Sequence, residues 1–250
     1  MIPKIIHYCW FGRNPLPELA IKCIESWKRH LPEYEIKEWN EDNFDVNIVP
    51  YTAEAYKAKK YAFVSDFARF WILYKYGGLY FDTDVEVIKN IDDIIAKGAF
   101  MGCELAPNNN KELFPAIAPG LGLGVTPGLG LYKEILDIYK YKHLFNLKGL
   151  ITETVVGIVT RILKEKNPNL DLNNICLIEG VTIYPADYFC PIVAMTGEMN
   201  VTENTRSIHH YTATWADKKR MPRHKRAILR FKYIMTRIYI TLFYRLLKKQ

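Results

Sequence analysis

The sequence predicts an α/β fold built on one mostly parallel sheet, and three observations carry that reading. Short apolar runs alternate with segments of helical periodicity through the first half of the chain. The 250 residues are 49% hydrophobic and 24% charged, enough for one sizeable core. The run YGGLYFDTDVEV, residues 76–87, reads as a buried strand with Asp82 and Asp84 near its C-terminal end. Ligands of parallel sheets bind at that end of their strands.

The elements follow in order. PKIIHYCW gives a first buried strand over 4–9. Leu19, Ile21, Cys23, Ile24 and Trp27 recur at helical spacing until Pro32. Residues 34–39 alternate like a strand, WNEDN is a turn, and a short helix is expected around 51–60. Residues 62–76 read as a strongly apolar helix with Gly77 as its C-cap. After the aspartate strand come short strands over 85–88 and near 99–104, with LAPNNNKELFP as a loop. PGLGLGVTPGLG lacks a GxGxxG spacing and reads as a strand and a tight turn leading to a helix over 128–141. A helix over 151–166 and strands near 175–178 and 182–184 complete the pattern, before SIHHY.

The five cysteines are odd in number and widely spaced, which argues against a disulfide framework or a zinc motif. The N-terminus has no basic region followed by a long apolar stretch, so no signal peptide is expected and the cytoplasm is the expected compartment. Residues 217–250 hold 12 of the 34 Lys and Arg residues and one of the 27 acids. The body is therefore mildly acidic, which argues against a nucleic-acid partner.

An ionised carboxylate in an apolar strand is costly unless something cationic pairs with it. Strand alternation would put Asp82 and Asp84 on one face, with Thr83 opposite. Two like charges on one face are tolerable if a divalent cation neutralises them or one holds a proton. Hard oxygen ligands suit Mg²⁺ or Mn²⁺. The bland alternative is a solvated strand end. Upstream, Asp66 and Arg69 share a helix face among Phe63, Val64, Phe67, Phe70 and Trp71. They form either a buried structural pair or a pair that binds hydroxyls at a pocket. His209 and His210 are adjacent, so on a strand at most one faces the aspartates. Trp10 and Trp215 are core aromatics on the residues alone.

SDFARFWILYKYGGLYFDTDV resembles the signature of the DXD-containing glycosyltransferases of the sugar-binding-region family, which include initiating mannosyltransferases and capsule transferases. Ser65, Asp66, Arg69, Leu73, Tyr74, Gly77, Gly78, Tyr80, Asp82 and Asp84 carry the pattern. The opening IPKIIHYCWFGRNPLP resembles the family's first strand and loop. IHHYTATW resembles its closing segment, with Thr214 where Ser is usual. The resemblance spans residues 2–216. It implies a GT-A (Rossmann-like) fold over 1–216, a nucleotide-sugar donor, Mn²⁺ or Mg²⁺, and transfer with retention. It implies that Asp84 and Asp82, with His209 or His210, hold the metal. It places Tyr8, Trp10, Asp66, Arg69, Asp82 and Trp215 around the donor, and gives Asp82, Asp84 and Arg69 the catalytic roles. No carboxylate nucleophile stands at a defined spacing; Glu153 and Asp187 are guesses. The donor is expected to be a UDP-sugar, with GDP-mannose open.

Residues 217–250 read as a basic amphipathic helix suited to an anionic membrane surface, or to packing on the catalytic domain with its basic face in water. The first reading suits a lipid-linked saccharide acceptor at the inner face of the plasma membrane, in bacterial capsule or lipopolysaccharide synthesis. Two other classes compete. FDTDVEV also resembles the nucleophile strand of haloacid-dehalogenase-like phosphatases, but Asp92-Asp93 comes too soon for that family's late acidic pair. A non-catalytic carbohydrate-binding, membrane-associated protein is the third reading.

Overall fold

In the computed structural model, residues 1–107, 112–146, 149–150, 153–193 and 196–211 are described. The chain opens with β1 (Ile5–Cys9), α1 (Glu18–His30), β2 (Glu35–Trp39), α2 (Pro50–Lys57) and α3 (Tyr61–Tyr76). β3 (Gly78–Tyr80), β4 (Val85–Val87) and α4 (Asp92–Ile95) follow. Next come β5 (Phe100–Pro107), β6 (Leu113–Ile117), β7 (Leu123–Val125) and α5 (Gly130–Lys140). The short pair β8 (Phe145–Asn146) and β9 (Gly149–Leu150) leads into α6 (Val155–Lys166). The described chain closes with β10 (Cys176–Ile178), β11 (Val181–Tyr184), α7 (Ala186–Phe189) and β12 (Ser207–His209).

The central sheet has eight strands, in the order β10-β11-β5-β7-β3-β1-β2, with β6 paired to β5. β1 is parallel to both β2 and β3, and β11 is parallel to β5. β7 runs antiparallel between β3 and β5. Five strands therefore share one direction, while β7, where the sheet's two parallel halves meet, and β6 and β10 run the other way. β1 (IIHYC) is buried at its last four positions, as a strand covered on both faces must be.

Helices cover both faces. Phe67 and Phe70 of α3, Tyr132 and Ile135 of α5 and Ile158 of α6 pack in one core. Trp27 of α1, Ile94 of α4 and Phe189 of α7 pack in the other. α1 also anchors β4. Trp27 Nε1 donates to Val85 O at 2.7 Å, and Val87 N donates to Ser26 Oγ at 2.9 Å. β12 pairs antiparallel with the other edge of β4.

The two glycines after α3 set the entry to the site. Gly77 (φ 64°) ends the helix, its N–H bonded to Leu73 O at 2.9 Å. Gly78 (φ 97°) starts β3 beneath β1, where an added Cβ would lie 2.6 Å from Ile5 O. Neither backbone is one that an L side chain adopts readily.

Three expectations need correction. β3 stops at Tyr80, and Asp82–Asp84 form a turn closed by Val85 N to Asp82 O at 3.0 Å. The strand alternation invoked for the two aspartates does not operate there. Within the stretch read as a loop, residues 105–107 and 113–115 instead pair across β5 and β6, in a ladder from Cys103–Ile117 to Pro107–Leu113, while residues 108–111 lie outside the described residues. The helix expected from residue 151 starts at Val155, where Thr154 accepts from Gly157 N at 3.4 Å as N-cap. Residues 217–250, read as a basic amphipathic helix, lie outside the described residues, as do Thr214 and Trp215.

Candidate active site

A cavity of about 770 Å³ opens at the carboxyl ends of β1 and β3. Trp10 and Phe11 reach it from the end of β1, and Ser65, Asp66 and Arg69 from α3. Asp82, Thr83 and Asp84 supply its floor, and His209 and Tyr211 close one side. The motif read along the sequence is thus gathered around one space, through a turn rather than a strand.

Asp82 and Asp84 meet different partners, and Asp66 shares that of Asp82. Arg69 is 4% exposed at its side chain, and its Nη2 lies 3.0 Å from Asp66 Oδ1 and 3.2 Å from Asp82 Oδ1. Tyr80 OH donates to the same Asp82 oxygen at 3.0 Å. Arg69 Nε donates to Ser65 O at 3.1 Å, and its guanidinium sits 5.1 Å from the centre of the Tyr80 ring. The side chain is thus held on three sides. Asp84 Oδ1 lies 3.2 Å from His209 Nε2. The repulsion between the two carboxylates is offset by two different side chains, an arginine and a histidine.

The electrostatics follow from burial and these pairings. Desolvation raises the Asp66 carboxyl, against the pull of Arg69 and with the help of Asp82. Desolvation also raises Asp82, opposed by Arg69 and reinforced by Asp84. Burial works against a proton on His209, but the charge and hydrogen bond of Asp84 outweigh it and hold the ring's pKa well above its ordinary value.

Gly120 is the close neighbour that the sequence did not single out. Its carbonyl accepts from Asp82 N at 2.9 Å. A Cβ there would lie 1.9 Å from Asp82 Oδ2 and 3.2 Å from Arg69 Nη1. Gly120 was legible only as part of a glycine-rich stretch. Glu104 of β5 was also missed. It lines the cavity and accepts from Tyr211 OH at 2.9 Å, and desolvation raises its carboxyl, with His209 and that hydrogen bond opposing. Its signal was a lone carboxylate in the otherwise apolar run FMGCELAP.

Some sequence candidates stand elsewhere. Tyr8 is buried against Trp27, its hydroxyl bonded to Glu38 Oε2 at 2.6 Å, and it does not line the cavity. The two histidines diverge where β12 ends: His210 Nε2 lies 2.8 Å from Glu86 Oε2 while His209 turns to Asp84. Trp10 does line the cavity, its Nε1 donating to Asn14 O at 2.6 Å. Glu153 pairs with Lys142 and Arg161 at 3.1 and 3.2 Å. Asp187 accepts from Thr202 and Asn204 at 3.1 and 3.2 Å. Neither guessed nucleophile lines the cavity.

Asp84 and His209 offer a hard oxygen and an imidazole nitrogen side by side at a cavity wall. That donor set fits Mn²⁺ or Mg²⁺.

The chain is similar to known glycosyltransferases. Residues 17–101 match the family described as glycosyltransferase sugar-binding region containing DXD motif. An uncharacterised glycosyltransferase of Acanthamoeba polyphaga mimivirus is 28% identical over 205 residues, 76% of this chain and 78% of that protein. Inositol phosphoceramide mannosyltransferase 1 of Schizosaccharomyces pombe is 25% identical over 158 residues, 59% of this chain. The match spans 46% of that enzyme's own length. In fold, the chain resembles the crystal structure of a glycosyltransferase involved in glycosylation of the major capsid of PBCV-1. The TM-score is 0.51 at 14% identity, covering 84% of this chain and 95% of that one. The architecture is that of the GT-A glycosyltransferases. Residues 17–101, which hold Asp66, Arg69, Asp82 and Asp84, match the sugar-binding region of the DXD-containing glycosyltransferases, and the chain is similar to glycosyltransferases in sequence and in fold.

Proposed function

We propose that this protein is a metal-dependent, retaining hexosyltransferase that draws on a nucleotide-sugar donor. The observation that carries the reading is the convergence of Asp66, Arg69, Asp82, Asp84 and His209 on one cavity at the carboxyl ends of β1 and β3.

The residues divide the work by their chemistry. Asp66 and Arg69 are fixed to each other and offer acceptors and donors to the hydroxyls of the donor hexose. Asp82, neutralised by Arg69 and Tyr80, serves the ribose or the sugar as a positioned acceptor. Trp10 gives the nucleobase an aromatic face at the cavity mouth. Asp84 and His209 would hold the divalent cation, which when bound supplies Lewis-acid stabilisation of the leaving diphosphate. Holding the acceptor hydroxyl against the anomeric carbon supplies much of the remaining rate. The acceptor oxygen bonds to that carbon as the bond to the diphosphate breaks. Its proton passes to the departing phosphate oxygen, on the same face and without a covalent intermediate.

The mannosyltransferase named among the relatives supports a hexose such as mannose and a lipid-borne acceptor. GDP-mannose therefore stands beside the UDP-sugars as donor. The basic composition of residues 217–250 supports work at an anionic membrane surface, on the cytoplasmic side. Surface-polysaccharide assembly, capsule or lipopolysaccharide, is the setting this reading gives for a bacterial chain. The test is turnover on vesicles that carry glycolipid or polyprenyl-linked saccharide acceptors, with GDP-mannose and UDP-hexoses compared. Hexose transfer to the lipid fraction supports the reading. Transfer only to free saccharides overturns its lipid-linked part.

A further inference from the structure

Behind the wall formed by Glu104, His209 and Tyr211 sits Cys190, 2% exposed at the end of α7. Its Sγ is 3.0 Å from Tyr211 OH, which in turn lies 2.9 Å from Glu104 Oε2. One ligand atom each of Glu104, Cys190 and His209 lies within 4.8 Å of the other two. His209 Nδ1 is buried and makes no hydrogen bond, while its Nε2 faces Asp84. A buried ring nitrogen without a partner calls for a water or an ion.

We infer that Glu104, Cys190 and the Nδ1 of His209 form a second divalent-cation site beside the aspartates, selective for zinc over manganese and magnesium, with Tyr211 OH as fourth neighbour and the His209 ring bridging to Asp84 through Nε2. The donors decide the selectivity. A thiolate, an imidazole and a carboxylate are the ligand types of zinc sites, and thiolate disfavours the hard ions that suit Asp82 and Asp84. Zinc–ligand bonds of about 2.0–2.3 Å set two ligands of one ion about 3.3–3.8 Å apart. The three side chains need only a small contraction to close on an ion. Tyr211 is prepared for this role. It holds a left-handed backbone (φ 47°) that packs its ring 4.2 Å from that of His209, centre to centre. Binding releases the Cys190 thiol proton and a proton of the His209 ring to solvent, since the ligands are a thiolate and an unprotonated ring nitrogen. An ion reaches the group through the cavity, which Glu104, His209 and Tyr211 line.

Cobalt(II) is the probe, because a thiolate ligand gives it an intense near-ultraviolet charge-transfer band that oxygen and nitrogen ligands do not. The full chain should bind Co²⁺ with such a band, and Zn²⁺ should abolish it by competition. Cys190→Ser should remove the band, Glu104→Gln should weaken Co²⁺ binding by more than about tenfold, and Cys176→Ser should leave it in place. Asp82→Asn should also keep the band, which separates this site from the one proposed for the donor. A wild-type protein without the band overturns the inference even if Cys190→Ser does not fold. A band that survives in folded Cys190→Ser overturns it as well. Manganese-dependent turnover is a separate readout: its absence would sink the transferase reading and leave the zinc site standing.

Discussion

Arg69 Nη2 lies 3.2 Å from Asp82 Oδ1 and 3.0 Å from Asp66 Oδ1, so one buried guanidinium nitrogen neutralises two carboxylates. Removing it leaves one buried and one part-buried carboxylate without their counter-ion. Arg69→Met should therefore cost about 3 kcal/mol or more in urea unfolding. Converting all three side chains together, with Asp66→Asn and Asp82→Asn, should recover much of that stability and none of the activity. If the single and triple variants were equally unstable, the pairing would not be the cause.

Gly120 allows Asp82 its position, since a methyl group there would sit 1.9 Å from Asp82 Oδ2. Gly120→Ala should fold with a melting temperature lowered by several degrees, because the displaced carboxylate strains its pairing with Arg69. The carboxylate must move by an ångström or so, which should lower turnover about a hundredfold. Full activity in this variant would show that Asp82 need not be held where it is.

The two histidines should separate cleanly. His209→Ala should weaken Mn²⁺ binding, followed by calorimetry, more than about tenfold. His210→Ala should leave Mn²⁺ affinity nearly unchanged, because its ring engages Glu86 at 2.8 Å. Equal losses in both variants would contradict the assignment of His209.

His7 gives a prediction about acid stability. Trp39 Nε1 donates to His7 Nδ1 at 3.0 Å, so the ring's proton sits on Nε2, 2.9 Å from Gly77 O. Burial lowers its pKa from the ordinary 6.5 to about 4. A folded-state pKa below the unfolded one gives stability that is present above pH 6.5 and is lost as pH falls towards 4. The loss attributable to His7 is about 3 kcal/mol. Urea unfolding at neutral and mildly acidic pH should show a steeper fall for wild type than for His7→Gln. Parallel slopes would contradict it.

Much of the fold could be read along the chain because its elements carry local signals. The apolar run of β1, the helical spacing of Cys23, Ile24 and Trp27, and the Gly77 stop after α3 each specify their element by a local signal, although Ile21, read on the same face, is exposed. The β5–β6 pairing was hidden because the Pro and Asn residues of LAPNNNKELFP read as a loop and do not show how far the pairing extends. The reversed direction of β7 depends on its neighbours β3 and β5, which no local pattern encodes. At the site, Asp66, Arg69, Asp82 and Asp84 stood out as charges in apolar surroundings. The argument from strand alternation was mistaken, since a turn brings Asp82 and Asp84 to the cavity. Glu104, Gly120 and Cys190 lie distant in sequence from the motif, and only the folded sheet brings them beside it.

The central claim is that Asp84, with His209, holds a cation that drives release of a nucleoside diphosphate from a sugar donor. Its most direct test is nucleotide release from a panel of UDP- and GDP-sugars, with and without Mn²⁺, by wild type and Asp84→Ala. The account predicts metal-dependent release of UDP or GDP by wild type and its loss in the variant. Turnover that ignores the metal or survives Asp84→Ala would contradict it.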